Sequence, residues 1–342
     1  MVTVRGRVTG GALLAVVLLL AAGCGKSQNS LDPKSHQAKD IASLFWWMMG
    51  GAWIGLAVVV GLLLLAWKRA NRRGAGSDTE GEKPGERLGW TVVLVGGIAV
   101  PIVLLSTLFV ISNLFVIKTT EAPAANTTRR NVLVVGHQWW WEVRYPGTDA
   151  VTANEIHIPV RTPVRVEVRS ADVIHSFWVP ELNRKIDTLP GSTSAIELYA
   201  DKAGRYRGQC AEFCGLQHAH MGLWVYADPP DRFRRWLARQ ERPATTPTAS
   251  QATAGRDVFL QGACATCHAI RGTRASGDVG PDLTHLADRT TIGALTLPND
   301  REALRNWIEG SQRYKPGNQM PDFPQLGGAQ LDALVAYLEG LK

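Results

Sequence analysis

Cys210-Ala211-Glu212-Phe213-Cys214-Gly215-Leu216-Gln217-His218-Ala219-His220-Met221 carries two thiols four apart, an imidazole four further on and a thioether three beyond that. A second imidazole, His175, lies upstream in Asp172-Val173-Ile174-His175-Ser176-Phe177-Trp178-Val179-Pro180. Soft thiolate and thioether donors with imidazoles favour copper over hard cations. Two thiolates on one short loop can bridge two metal ions. Charge shared between bridged coppers then lets an electron come and go with little movement of ligands. Spacing alone leaves three readings open. One is a dinuclear copper site for electron transfer. Another is a structural zinc site built from Cys210, Cys214, His218 and His175, with Met221 as packing. The third is a disulfide in an exported domain.

Around this stretch the hydrophobic period is two. Asn131–Val135, Trp139–Arg144, Glu155–Val160, Val164–Arg169, Thr193–Tyr199, Arg205–Cys210 and Leu223–Ala227 read as strands. Val164, Val166 and Val168 alternate with Arg165, Glu167 and Arg169, as in a half-buried strand. Short strands punctuated by Pro163, Pro180 and Pro190-Gly191 predict a β-sandwich or barrel over residues 127–240. Of the adjacent tryptophans, Trp139 and Trp141 would share one face and Trp140 take the other. His137 and His157 fall outside the metal pattern and read as hydrogen-bonded structural residues. His220 reads as a surface or interface side chain.

Asp231 to Gln240 reads as a closing helix. Residues 241–254 follow as a linker rich in Pro, Thr and Ala. A flexible tether of ~15 residues has a root-mean-square span near 20 Å, enough for an effective concentration on the order of mM. Beyond it, Cys264-Ala265-Thr266-Cys267-His268 is a C-x-x-C-H haem-attachment pattern; a C-x-x-C redox pair is the alternative. Met320 lies 52 residues after His268 and is the sole methionine of residues 255–342. A thioether sixth ligand raises the iron's potential. His285 competes for that position but reads as a surface residue. Asp300 can cap a helix over Arg301–Glu309. Leu331, Leu334, Val335, Leu338 and Leu341 form an apolar stripe at helical spacing on a last helix.

The N-terminal third is a membrane sequence. Residues 1–23 combine Arg5 and Arg7 with the short apolar run Gly10 to Leu20, an export signal. Leu20-Ala21-Ala22-Gly23-Cys24 resembles a bacterial lipoprotein cleavage site, with Cys24 as the lipidated residue; Ala21 departs from the usual leucine. Residues 41–67 and 88–117 hold no charged residue, and each exceeds the ~20 apolar residues that span a bilayer. Lys68, Arg69, Arg72, Arg73, Lys83 and Arg87 fall between them, in a connection spanning 68–87. Positive loops stay cytoplasmic, so residues 24–40 and everything after Lys118 are expected outside. The +7 net charge follows these flanks: residues 1–126 carry +5, 127–240 +3 and 251–342 −1. That distribution concerns membrane topology and argues against a nucleic-acid partner. The five cysteines, Cys24, Cys210, Cys214, Cys264 and Cys267, each have a separate use.

The pattern His…Cys-x-Glu-x-Cys-x-x-x-His-x-x-Met, followed by C-x-x-C-H, Gly280-Pro281-Asp282-Leu283 and Met320, resembles subunit II of haem-copper cytochrome c oxidases of the caa3 type. The resemblance covers nearly everything after residue 40. It implies a two-helix transmembrane hairpin, an all-β cupredoxin-like Greek-key sandwich and an all-α class I cytochrome c domain. It implies that Cys210 and Cys214 bridge both coppers of a binuclear CuA centre, whose ligands are completed by His175, His218, Met221 and the Glu212 carbonyl. The Glu212 carboxylate, with Asp187, would face a magnesium ion at the join with subunit I. Cys264 and Cys267 would carry haem c, with His268 and Met320 as axial ligands. An exposed aromatic, Trp139 first and Trp140 second, would admit electrons to the copper. The implied partners are oxidase subunits I and III, membrane lipid, and a donor such as a bc1-type complex or its cytochrome c. The implied route runs from haem c through CuA to haem a in subunit I, where dioxygen is reduced and protons are pumped. A membrane-tethered carrier serving another acceptor, and a copper-delivery protein, are the competing readings. A quinol-oxidase subunit lacks these copper ligands.

Overall fold

A computed structural model describes residues 28–73, 86–123 and 131–342. The export signal with Cys24 and most of the connection between the spans lie outside the described residues. Helix α1 runs His36–Arg73, longer than the uncharged 41–67 segment. Ser35 caps it, accepting from Ala38 N at 3.0 Å. Its 38 residues rise ~57 Å against an apolar bilayer core of ~30 Å, so helix remains beyond the membrane. At the N-terminal end Gln37, Ala38 and Ala42 are buried, so residues 36–40 belong to the folded body. The second span comprises α2 (Glu86–Leu94), a π-turn (Val95–Ala99) and α3 (Val100–Ile111). Pro101 sits just after the π-turn, which absorbs the carbonyl that proline leaves unbonded. Among the described residues these are the two helices long and apolar enough to cross a membrane.

The copper-loop domain is a Greek-key sandwich of two five-stranded sheets. Its strands are β1 (Asn131–His137), β2 (Trp140–Arg144), β3 (Val151–Ala153), β4 (Glu155–Pro159), β5 (Val164–Ser170), β6 (His175–Trp178), β7 (Ile186–Thr188), β8 (Ser194–Leu198), β9 (Gly204–Cys210) and β10 (Gly222–Asp228). One sheet has the order β3-β2-β1-β5-β8 and the other β4-β10-β9-β6-β7. Val164, Val166 and Val168 point into the core, at most 1% exposed. Strands β3, β6 and β7 escape the sequence reading because they are short and β6 is buried on both faces. Trp139 is not in a strand; Gln138-Trp139 is the turn joining β1 to β2. Helix α4 (Pro230–Gln240) closes the sandwich.

The C-terminal domain holds α5 (Ser250–Gln261), α6 (Cys264–Cys267), α7 (Arg301–Glu309), α8 (Ser311–Tyr314) and α9 (Gly328–Leu338). Helices α5 and α9 cross closely at Gly255, where a Cβ would lie 1.9 Å from the Ala333 carbonyl oxygen. Asp300 Oδ1 accepts from Ala303 N at 2.8 Å, the expected cap. Leu331, Leu334, Val335, Leu338 and Leu341 are all buried.

The linker differs from the expected tether. Helix α5 begins at Ser250, inside the stretch read as linker. The remaining residues are held: Ala244 N donates to Arg271 O at 3.0 Å, and Arg271 reaches back to the Gln240 and Glu241 carbonyls. His285 is buried, its Nε2 3.0 Å from Arg242 O, so it is an anchor for this segment and not a surface residue.

Candidate metal centres

Strands β6 and β9 pair antiparallel, with Phe177 opposite Cys210. The pairing sets His175, the first residue of β6, beside Cys210, the last of β9; two of the proposed ligands therefore stand on strand ends and not on loops. Cys210 Sγ lies 4.0 Å from His175 Nδ1, 3.8 Å from Cys214 Sγ and 3.2 Å from Glu212 O. Cys214 Sγ lies 3.6 Å from His218 Nδ1 and 3.8 Å from Met221 Sδ. All six expected donors thus converge. Both cysteines are free thiols. His175, Cys210, Cys214 and Met221 are buried, at most 4% exposed. The neighbouring Cys214 sulfur, over the opposing cost of burial, pulls the Cys210 thiol down to about 3, and the same pairing pushes Cys214 up. One thiolate is therefore ready before any cation arrives.

The sequence reading missed Asp172. Its Oδ1 is 2.8 Å from His175 Nε2, and its Oδ2 accepts from Gln138 N at 2.6 Å. A carboxylate on the far nitrogen fixes the imidazole's tautomer and turns Nδ1 toward the sulfurs. Gly136 makes room for the ring: a Cβ there would sit 2.8 Å from His175 Cδ2. Both signals were present as residue types, but only the fold brings residue 136 beside residue 175.

In the C-terminal domain one cavity is lined by Cys264, Cys267, His268 and Pro281 on one side and by Met320 elsewhere on its wall. His268 Nδ1 is 2.8 Å from Pro281 O, which leaves Nε2 for a metal. Gly280 lies against the ring, where a Cβ would stand 2.4 Å from Cε1. The Met320 loop is pinned by Ser311 and Gln312, both donating to the Met320 carbonyl. His285 does not line this cavity.

The same cavity reaches the copper-loop domain, with Trp139 and Trp140 in its wall. Trp139 is buried, 8% exposed, and its Nε1 donates to Cys214 O at 3.0 Å. Lys315 Nζ donates to Trp139 O at 2.6 Å, and Gln217 Nε2 to Pro316 O at 2.8 Å. Glu155 Oε1 accepts from both Thr290 N and Thr290 Oγ1 at 2.8 Å. Trp140 is half-buried and stacks on His137 at 4.3 Å. His157 is stacked on Tyr226 and Trp236 and bonded to Asp228 at 2.7 Å, a structural residue. His220 is exposed. Asp187 and Glu212 are exposed too; both flank Ser176, which pairs with Asp187 and accepts from Ala211 N.

A family model described as the periplasmic domain of cytochrome c oxidase subunit II matches residues 147–227, and one for cytochrome c matches residues 252–342. Cytochrome c oxidase subunit 2 of Alkalihalophilus pseudofirmus is 34% identical over 335 residues, 96% of this chain and 96% of that protein. Its counterpart in Bacillus subtilis is 29% identical over 355 residues, with the same coverage of both. Among solved structures, the periplasmic domain of subunit II of the Bradyrhizobium japonicum cytochrome oxidase is 30% identical; the match covers 33% of this chain and 94% of that one, with a TM-score of 0.32.

Proposed function

Because the chain belongs to the cytochrome c oxidase subunit II family and carries a cytochrome c domain behind its copper domain, we propose that it is the electron-entry subunit of a haem-copper terminal oxidase. Electrons from a bc1-type complex or its cytochrome c enter at haem c. They pass to the copper centre and then to haem a of subunit I, where dioxygen reduction drives proton pumping.

The residues present suit both groups that the family implies. Structural zinc takes four ligands, whereas six donors converge here, two of them thiol sulfurs 3.8 Å apart. His175, Cys210, Glu212, Cys214, His218 and Met221 would hold CuA. Cys264, Cys267, His268 and Met320 would hold haem c. When bound, each group takes up and releases one electron at a time. The chain's own part is positional. Burial keeps water from the sulfurs. Asp172 and Pro281 fix the tautomers of His175 and His268. Lys315 and Gln217 hold the two domains together, with Trp139 between cavity and copper loop.

The observation that carries this reading is Trp139, which lines the haem cavity and hydrogen-bonds the carbonyl of a copper-loop cysteine. Glu212 and Asp187 are the residues for a magnesium ion at the join with subunit I. Subunit III and lipid complete the surroundings, with Cys24 as a lipid attachment point. The outward orientation is supported by residues 28–39, which bond to the copper domain through Gln28–Gln209, Lys34–Glu181 and Lys39–Asp201. Deleting residues 241–342 is expected to abolish turnover with the natural donor while small dyes still reduce the copper. Unchanged turnover with that donor would contradict the proposal.

A further inference from the structure

The haem cavity has a charge problem. Two buried cations line it, Arg289 at 7% exposure and Lys315 at 3%, and no aspartate or glutamate does. Arg289 donates through Nη2 to the Asp282 carbonyl, but its Nε has no partner. Lys315 meets two carbonyls, Trp139 O at 2.6 Å and Gly293 O at 3.1 Å, and neither brings a negative charge. Among the described residues neither cation has a salt bridge. The nearest carboxylates are engaged: Glu155 Oε1 accepts twice from Thr290, and Asp282 Oδ1 accepts from Thr284 N. Burying an uncompensated cation costs several kcal/mol, so this wall is built for an anion.

We propose that Arg289 and Lys315 receive the two haem carboxylates, at the face of the cavity that the cytochrome domain shares with the copper domain. The inference rests on the haem reading above. Cys264 and Cys267 tether the vinyl edge of the ring, leaving the carboxylate edge to find its own charge partners. Lys315 belongs to the loop that also carries Met320, five residues on, and its ammonium touches the copper domain's Trp139. A carboxylate on Lys315 therefore ties three things together: the haem, the distal-ligand loop and the domain contact. Burial pulls the Lys315 ammonium down to about 7 without such an anion, and a carboxylate beside it would restore the charge.

The test uses the purified full-length oxidase carrying Lys315→Met, Lys315→Arg, Arg289→Gln or Arg289→Lys. The readouts are the haem-carboxylate bending bands in resonance Raman spectra and the haem c midpoint potential. Lys315→Met and Arg289→Gln are expected to shift the bands and to lower the midpoint, since a lost positive charge favours ferric haem. The charge-conserving variants are expected to keep the midpoint close to wild type. Should Arg289→Gln fail to load haem, Lys315→Met decides. Haem-loaded Lys315→Met with wild-type bands and midpoint would overturn the inference. A wild-type protein with no covalent haem in its pyridine haemochrome spectrum would instead sink the haem reading itself.

Discussion

Asp172 Oδ1 stands 2.8 Å from His175 Nε2, on the opposite side of the ring from the Nδ1 that faces Cys210 Sγ at 4.0 Å. The imidazole is thus gripped from both sides, by a carboxylate that chooses its tautomer and by the thiol it must share a metal with. Asp172→Asn is expected to weaken copper binding by roughly 10–100-fold, the usual cost of losing such an outer partner. Competition titration with a copper chelator reads this directly; affinity equal to wild type would remove Asp172 from the site.

The same contact predicts a pH dependence in the metal-free protein. Burial opposes the His175 charge, but Asp172 and Cys210 outweigh it and lift the imidazole above its ordinary value. Burial also opposes ionisation of Asp172, yet His175 and the Gln138 and Val173 amides hold it below the usual carboxylate range. A raised histidine adds stability that is complete below its unfolded value and is lost as pH rises through the folded one. A depressed aspartate adds stability that is complete above its unfolded value and is lost as pH falls through the folded one. The pair therefore contributes most between about pH 4 and 6.5. Urea unfolding of chelator-treated protein should find Asp172→Asn less stable by roughly 1.5–3 kcal/mol in that window, with the gap narrowing at higher pH. A gap that widens with pH would contradict this.

Gly280→Ala drives a methyl group to 2.4 Å from His268 Cε1, and the ring has Pro281 O fixing its other edge. The substitution is expected to cost about 1–3 kcal/mol and to displace the proximal imidazole. The optical spectrum checks it: loss of the low-spin signature in haem-loaded protein is the predicted outcome.

Domain docking relies on Lys315–Trp139, Gln217–Pro316 and Glu155–Thr290, none of which pairs opposite charges. Buried hydrogen bonds are little screened by salt. Flash-reduction of haem c should give the same rate of electron arrival at copper at low and high ionic strength. A steep fall with salt would indicate a domain that dissociates and redocks.

Much of this was legible because each domain's chemistry is local in sequence. Cys210, Cys214, His218 and Met221 fall within twelve residues, and the alternation of Val164–Arg169 or the stripe from Leu331 needs no tertiary information. What escaped depends on distant pairs. Asp172 and Gly136 matter only because β1 and β5 lie side by side and carry them to His175. Trp139 read as a strand residue and an exposed entry point; a tight β1–β2 turn and the docked cytochrome domain bury it. The tether read as flexible because its composition is. Its order comes from Arg271 and His285, which lie beyond it in the chain.

The central claim is that six donors from His175 and the Cys210–Met221 loop hold a pair of coppers. Metal analysis of the purified full-length protein, together with its EPR spectrum, tests this most directly. The account predicts two coppers per covalent haem and one unpaired electron divided equally between two copper nuclei. One zinc per chain, or a single copper with an undivided electron, would contradict it.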